Sequence, residues 1–392
     1  VFMSEKQYDV VVCGAGVAGV AAAIAAARSG CKTALIEKQC ILGGLATSGL
    51  IYVFLPLCDG NGHQVIHGIP EEMLRGGAEY GPFDVAEKWG GPAAGNPGLE
   101  NPRFICCFSP AGMVLTLDKM LKEAGVDLWL DSLAVQTAVS EGTVTSITVC
   151  NTSGFITVKG KCFVDATGGA YMVKNAGGTV FTGENKVTPW VLEISQTPEP
   201  FHLSDSLYIR GMWKNASGIS LDDDRAAQGF PTCDNGKQIT DFVRKTWELT
   251  RFQYDQMSSR EERRCNYPVT LPGMPQLRKI ARIDAEYNLN AESVSETYPD
   301  SIGRVGDWRK SNSVWDTPYR ALIPRGLKNI AAAGRCIGAA DDAWEVYRVI
   351  PAAAMTGEAA GVAAALAAQK YEKLSSVESA ELQKQLYQIR KR

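Results

Sequence analysis

The chain has 392 residues, 45% of them hydrophobic and 21% charged, with a formal net charge of -3. That length exceeds one comfortable core and points to two joined domains. The charge balance removes any electrostatic case for nucleic acid or an anionic membrane, so the expected partner is a small-molecule substrate. Eleven cysteines form an odd set without the spacing of a disulfide framework, and Cys13, Cys150 and Cys162 sit inside apolar runs, where a free thiol acts as a small hydrophobe. A reducing, cytoplasmic setting is the expectation.

Tyr8–Cys13, "YDVVVC", reads as a buried strand, Val17–Arg28 as a helix of small residues, and "KTALIEK" as a second strand. Together they form a β-α-β unit of about 30 residues. Val10–Ala27 contains 18 residues without a charge, enough to imitate a membrane span or a secretory leader. Gly14, Gly16 and Gly19 fall inside it at turn-like spacing, however, and much of the remainder is alanine, which is only weakly apolar. "ILGGLATSGL" follows, with Gly43 and Gly44 side by side, and "GIPEEML" starts another helix on Pro70.

Residues 80–110 are rich in Gly and Pro and should form an irregular excursion. "SPAGMVLTLDKMLKEAG" resumes helix and stops at Gly125, and "VDLWL" is a strand. From Leu133 to Asp165 the pattern alternates with period two, which predicts a three-stranded antiparallel meander. Gly168 to about Pro324 is less regular and carries most of the tryptophans, as expected of a separate cap. "LKNIAAAG" is again a buried strand, Pro351–Gln369 a helix of small residues, and "SSVESAELQKQLYQIRKR" an amphipathic helix.

"GAGVAG" supplies Gly14, Gly16 and Gly19 between strand and helix: the first for a tight turn, the second for backbone approach to a pyrophosphate, the third for helix packing. Glu37, 18 residues past Gly19, ends the second strand, where an acid holds ribose hydroxyls and repels a 2′-phosphate. The second glycine pair suits a cofactor longer than a mononucleotide, and FAD runs past that point; Thr47 and Ser48 could hydrogen-bond it. "FVDATGGAYM" adds a glycine-rich turn from Asp165 to Gly169, and "AAAGRCIG" ends a strand at Gly334 and Arg335 before a helix opens near Pro351. A helix N-terminus aimed at a flavin would stabilise negative charge on the reduced ring.

The order of these segments resembles FAD-dependent oxidoreductases of the glutathione-reductase-like two-dinucleotide-binding superfamily, and more closely a broad, poorly characterised group within it. "LRKIARIDAEYNL" and "TPYRALIPRGLKNIAAAGRCI" resemble that group's cap and return segments, and the likeness spans about two-thirds of the chain. It implies FAD as cofactor, with Gly14, Gly16, Glu37, Gly43, Gly44, Thr47, Thr167, Gly334 and Arg335 on cofactor contacts and Ala134-Val135 near adenine. Val17, Ala18, Gly19, Lys38, Ala46, Ala166, Gly168, Asp342 and Val349 complete the expected set. "AADDAWEVYR" between Gly338 and Val349 is more acidic and aromatic than the small, polar stretch the group usually shows there.

Catalytic candidates follow from chemistry. Arg348 would sit beside the flavin or a substrate anion, against the plainer reading of a capping arginine. Tyr319 and Arg320 would face the flavin from the cap, a Tyr to donate a proton and an Arg to clamp a carboxylate, or else pack a domain interface. Arg278 and Arg282, four apart on one helical face, suit an anionic substrate or a solvated surface. His67 is a base, a covalent flavin anchor or a loop histidine, and Asp341 and Asp342 are ribityl contacts or an acid/base. Cys106-Cys107 lies in the excursion with at most a strained redox role, and no metal motif appears.

The fold expectation is α/β: a Rossmann-like FAD-binding domain at 1–168 and 325–392, with its meander, and an inserted α+β cap or substrate domain at 169–324. The function expectation is a dehydrogenase or oxidase moving a hydride between flavin N5 and a small polar or anionic substrate. The alternatives are a group-transfer enzyme of thiazole-synthase type and a non-catalytic nucleotide-binding protein. No second G-x-G-x-x-G occurs, so no dedicated NAD(P)H domain is expected.

Overall fold

The computed structural model describes residues 5–60, 63–80, 106–185, 187, 189–195, 207–210 and 232–391. Most of the expected excursion at 80–110 lies outside them. The chain divides into two compact units, one of residues 1–47, 52–181 and 281–392 and the other of 48–51 and 182–280.

The strands in chain order begin with β1 (Glu5–Cys13), β2 (Thr33–Ile36), β3 (Val53–Phe54), β4 (Cys106–Cys107) and β5 (Asp127–Trp129). The meander follows as β6 (Leu133–Ser140), β7 (Thr143–Asn151) and β8 (Gly154–Asp165), then β9 (Val180–Thr182). The second unit holds β10 (Val191–Ser195), β11 (Leu207–Arg210) and β12 (Asn266–Thr270). The first resumes with β13 (Ala281–Ile283), β14 (Ser301–Gly306), β15 (Val314–Pro318) and β16 (Ile330–Ala332). The helices are α1 (Val17–Arg28), α2 (Ile69–Glu79), α3 (Pro110–Ala124), α4 (Tyr171–Asn175), α5 (Gly236–Asp255), α6 (Arg260–Cys265), α7 (Asp341–Tyr347), α8 (Ile350–Leu366) and α9 (Ser379–Arg390).

The main sheet of the first unit runs β5-β2-β1-β8-β7-β6, with β16 also on β8. β1 lies parallel to β2 and to β8, and its Val10–Cys13 run is buried on both faces, which is why it lacks polar alternation. β8 serves two partners on its far side: its first half pairs antiparallel with β7, and Phe163–Asp165 pair parallel with β16. The meander is thereby grafted onto a parallel nucleotide-type sheet, as the change of hydrophobic period at Leu133 predicts. On one face Val11, Cys13, Ile147, Phe163, Met172 and Ile283 share a core.

Helices α1 and α8 pack against each other closely enough for their backbones to touch. A Cβ built at Gly357 would stand 2.1 Å from Ala18 O, and one at Gly361 2.1 Å from Ala22 O. Only glycine fits at those two crossings, and the alanines around them supply the small surface such an approach needs. The helical segment Ile350–Tyr371 is long and apolar enough by composition to cross a membrane, but it is buried inside this unit.

Glu358 interrupts that apolar helix and is fully buried. Its Oε1 takes the Arg390 Nε at 2.6 Å and its Oε2 the Ile69 amide at 2.8 Å, tying α8 to the end of α9 and the start of α2. The second unit pairs β11-β10-β12 antiparallel, and Tyr254 on α5 donates to Glu193 on β10 at 2.6 Å.

Two stability outcomes follow. Gly357→Ala should cost about 1–3 kcal/mol by overpacking, read from urea unfolding. Arg390→Met, which strands a buried carboxylate, should cost about 3–5 kcal/mol in the same assay.

Candidate cofactor site

β1, β8 and β16 end in register at Cys13, Asp165 and Ala332. The crevice outside the carboxyl ends of parallel strands is where this architecture takes ligands. Each strand delivers a turn there: Gly14–Gly16, Ala166–Gly168 and Ala333–Arg335.

Gly14 and Gly19 take the turn and packing places that their spacing predicts. Gly14 has φ +94, its amide donates to Ile36 O at 2.8 Å, and a Cβ there would stand 2.5 Å from Ala166 O. A Cβ at Gly19 would stand 1.7 Å from Gly14 O, so the helix presses on the turn. Gly16 differs: a Cβ there meets nothing within 4 Å. It is the N-cap of α1 and carries no side-chain cap, so the helix's first amides and positive dipole end, beside Val17 and Ala18, open onto that space.

The second glycine pair lies directly alongside. Gly43, at φ +95, donates its amide to Ala15 O at 2.7 Å, and Gly16 and Gly43 form a parallel bridge. A Cβ at Gly44 would stand 3.2 Å from Gly16 Cα. The Thr47 hydroxyl is turned back to Leu42 O, and Ala46 is buried. The two glycine segments therefore form one continuous backbone surface.

Glu37 is buried, with Oε2 accepting from Ala15 N at 2.6 Å and Oε1 from Gln39 N at 2.9 Å. The carboxylate is held as an acceptor beneath the first turn, with Lys38 exposed next to it. Ser132 N donates to Glu37 O at 2.9 Å, which brings the start of β6 to this edge; there Ala134 is half-buried and Val135 exposed.

Asp165 is fully buried and burial pushes its carboxyl up, although it accepts from Thr167 N at 3.1 Å, Thr167 Oγ1 at 2.6 Å and Val173 N at 3.0 Å. It shapes the turn from within. Arg335 Nε donates to Gly168 O at 2.7 Å, joining the second and third turns. Gly334 N donates to Thr356 Oγ1 at 3.0 Å, and a Cβ at Gly334 would stand 2.8 Å from Ala18 Cβ, so this residue is wedged between α1 and α8.

α8 begins after Val349 with no side-chain cap and no acid in its first turn. Because Ala18 faces Gly357 and Ala22 faces Gly361, α1 and α8 run parallel. Six more residues precede the crossing in α8 than in α1, so its N-terminus projects about 9 Å further, at 1.5 Å per residue. The crevice thus offers two bare helix N-termini, staggered along one direction.

Several expected catalytic residues are committed elsewhere. Tyr319 is buried and its hydroxyl donates to Leu374 O at 2.9 Å; Leu374 N in turn donates to Lys328 O, just ahead of β16. That is the opposite end of the strand from Gly334, so the structure does not bring Tyr319 to the crevice. Arg320 is exposed and paired with Asp300 at 3.0 Å. His67 is exposed beside Gly68, whose Cβ would meet Glu358, eight residues into α8 and about 12 Å from its start.

Arg278 and Arg282 do not share a helical face. Arg282 lies on β13, while Arg278 belongs to the second unit and donates to Gln276 O at 2.6 Å. Extended pairing overrides the i,i+4 spacing. Asp342 is clamped by Arg309, whose Nη1 and Nη2 reach its two oxygens at 2.5 and 2.9 Å while Nε and Nη2 also hold Asp307. Arg348 lies just ahead of Val349, with Nε on Glu345 at 2.6 Å. Asp341, first residue of α7, is exposed with φ +46. All eleven cysteines are free thiols, including Cys106 and Cys107, which are consecutive on β4.

The sequence matches the family model described as FAD dependent oxidoreductase over residues 9–260 and 234–386. A tRNA uridine 5-carboxymethylaminomethyl modification enzyme from Geobacter sulfurreducens is 49% identical over 57 residues, 12% of this chain and 9% of that protein. Digeranylgeranylglycerophospholipid reductase from Picrophilus torridus is 31% identical over 178 residues, 42% of this chain and 40% of that protein. The chain thus spans less than half the length of these curated relatives. A geranylgeranyl bacteriochlorophyll reductase-like structure from Thermoplasma acidophilum aligns over 99% of this chain and 93% of its own at 14% identity and a TM-score of 0.45.

The open face of Gly16 makes a clean test. Gly16→Val should leave the melting temperature of the unliganded protein nearly unchanged and weaken dinucleotide binding at least about tenfold, whereas Gly19→Ala should lower the melting temperature itself.

Proposed function

Since the chain belongs to the FAD dependent oxidoreductase family, and FAD is its cofactor, we propose that it moves a hydride between the flavin N5 and a small polar or anionic organic substrate. The observation that carries this reading is the Gly16–Gly43 bridge beside the uncapped α1, with the uncapped α8 about 9 Å further on. One bare N-terminus suits a pyrophosphate, and a second at that offset suits the electron-accepting edge of a ring system. When bound, the flavin supplies the hydride chemistry.

The chain's own residues hold, orient and tune. Gly14, Gly16 and the first amides of α1 receive the pyrophosphate, and Glu37, fixed by Ala15 and Gln39, accepts from ribose hydroxyls. Gly43 and Gly44 let the chain lie close along the extension, and the Asp165 turn with Arg335 closes its far side. The α8 N-terminus stabilises negative charge, while Arg348 just ahead of it is paired with Glu345. Asp341 Oδ is the group assigned to the proton that accompanies the hydride: it is exposed, and no carboxylate clamp like that on Asp342 engages it among the described residues.

Purified protein should be yellow, release FAD on denaturation, and lose its flavin band anaerobically with at least one member of a panel of hydroxy acids, amino acids and sugars. A colourless protein that stays unloaded in excess FAD would end this reading, and Asp341→Asn should then have nothing to slow. In the loaded enzyme that substitution should cut the bleaching rate by about 10²-fold or more, with FAD content unchanged.

A further inference from the structure

Arg282 lies half-buried on β13, its guanidinium 4.4 Å from the Phe181 ring centroid. One of its N–H groups donates to Asn288 Oδ1 at 3.2 Å. Among the described residues no carboxylate stands within ion-pair distance of it. Asp284 is close but already accepts from Asn288 Nδ2 at 3.0 Å and faces Arg325 at 3.7 Å. Asp341 acts on it only at longer range, and burial draws its pKa below the usual arginine range. Arg28, Arg75, Arg309, Arg320, Arg348 and Arg390, by contrast, each hold a carboxylate.

A partly desolvated guanidinium that engages one acceptor and no carboxylate among the described residues is costly to keep. The ring face and Asn288 hold it in one orientation, and Asn288 itself packs on the segment that leads from the third turn of the crevice into α7. Asn288 Oδ1 is 3.1 Å from the position a Cβ would take at Gly338, and Ala340 N donates to Leu289 O at 2.7 Å. Residues 285–289 therefore abut Gly338–Ala340, in the segment that leads from Gly334–Arg335 into α7 and on to the N-cap of α8.

We propose that Arg282 is a substrate-binding residue that takes a carboxylate of the substrate in a forked pair of hydrogen bonds. The Phe181 ring holds the guanidinium plane, and the substrate's remainder lies toward Asp341. The proposal rests on the oxidoreductase reading above and narrows its substrate class to carboxylates. Lysine would supply the charge without the fork or the stacked plane, so the two cations are not equivalent here.

The test is calorimetric titration of the FAD-loaded enzyme with matched probes: lactate and lactamide, succinate and succinamide, benzoate and benzamide. At least one carboxylate should bind at least about tenfold more tightly than its amide. Arg282→Met and Arg282→Gln should each erase that preference, Arg282→Lys should keep part of it, and FAD content should match the parent in all three. Carboxylates no tighter than their amides, or a preference that survives both neutral substitutions, would overturn the assignment. Heat of binding requires no turnover. A protein that binds carboxylate through Arg282 but whose flavin no substrate bleaches keeps this assignment and sinks the oxidoreductase reading instead.

Discussion

The backbone contact between α1 and α8 is the constraint on which the rest of the first unit depends. Gly357 and Gly361 let α8 approach to where any Cβ would strike the carbonyls of Ala18 and Ala22. Because the crossing points advance together in both helices, the helices are parallel and both N-termini reach the same end of the sheet. Gly334, trapped between Ala18 and Thr356, links that contact to the strand end at β16. A bulkier residue at any of these positions would part the helices and lose the stagger between their N-termini. The alanine-rich composition of both helices is therefore a packing requirement, with membrane-like hydropathy as a by-product.

A second regularity is where the acids go. Glu37 and Asp165 are both buried at strand ends, and both spend their oxygens on the backbone of the turns they support. Carboxylates only accept hydrogen bonds, so they gather amide donors into fixed turns while leaving the outward amides of α1 for an anion. Glu358 does the same deeper in the fold, anchoring Ile69 and Arg390. Asp342 is absorbed by Arg309. Arg282, by contrast, is held by Asn288 and the Phe181 ring and has no carboxylate within ion-pair distance among the described residues.

The two units answer to different pressures. The first is organised around glycine and alanine at close quarters, where each atom's position follows from steric exclusion. The second, with Tyr254 bonded to Glu193 across from α5 to β10, is a smaller antiparallel assembly whose sequence is more polar and aromatic. The family match extends across the residues of both.

Read alone, the sequence determined the nucleotide-type sheet, the meander, the glycine turns and the FAD family, because glycine spacing and hydrophobic period are local signals with local causes. It also marked Glu37 and the Gly43-Gly44 pair, which the fold sets beside the first glycine turn through the Ala15 amide and the Gly16–Gly43 bridge. Partnership was not legible. Nothing in "TPYRALIP" says that the Tyr319 hydroxyl will meet Leu374 at the far end of β16, or that an i,i+4 arginine pair will be split between a strand and another unit. Asp342 and Asp341 are adjacent and chemically identical, and only the return of β14 and β15 with Arg309 decides that one is clamped and the other left open. Side-chain commitment depends on contacts between residues far apart in sequence, and those exist only once the chain has folded.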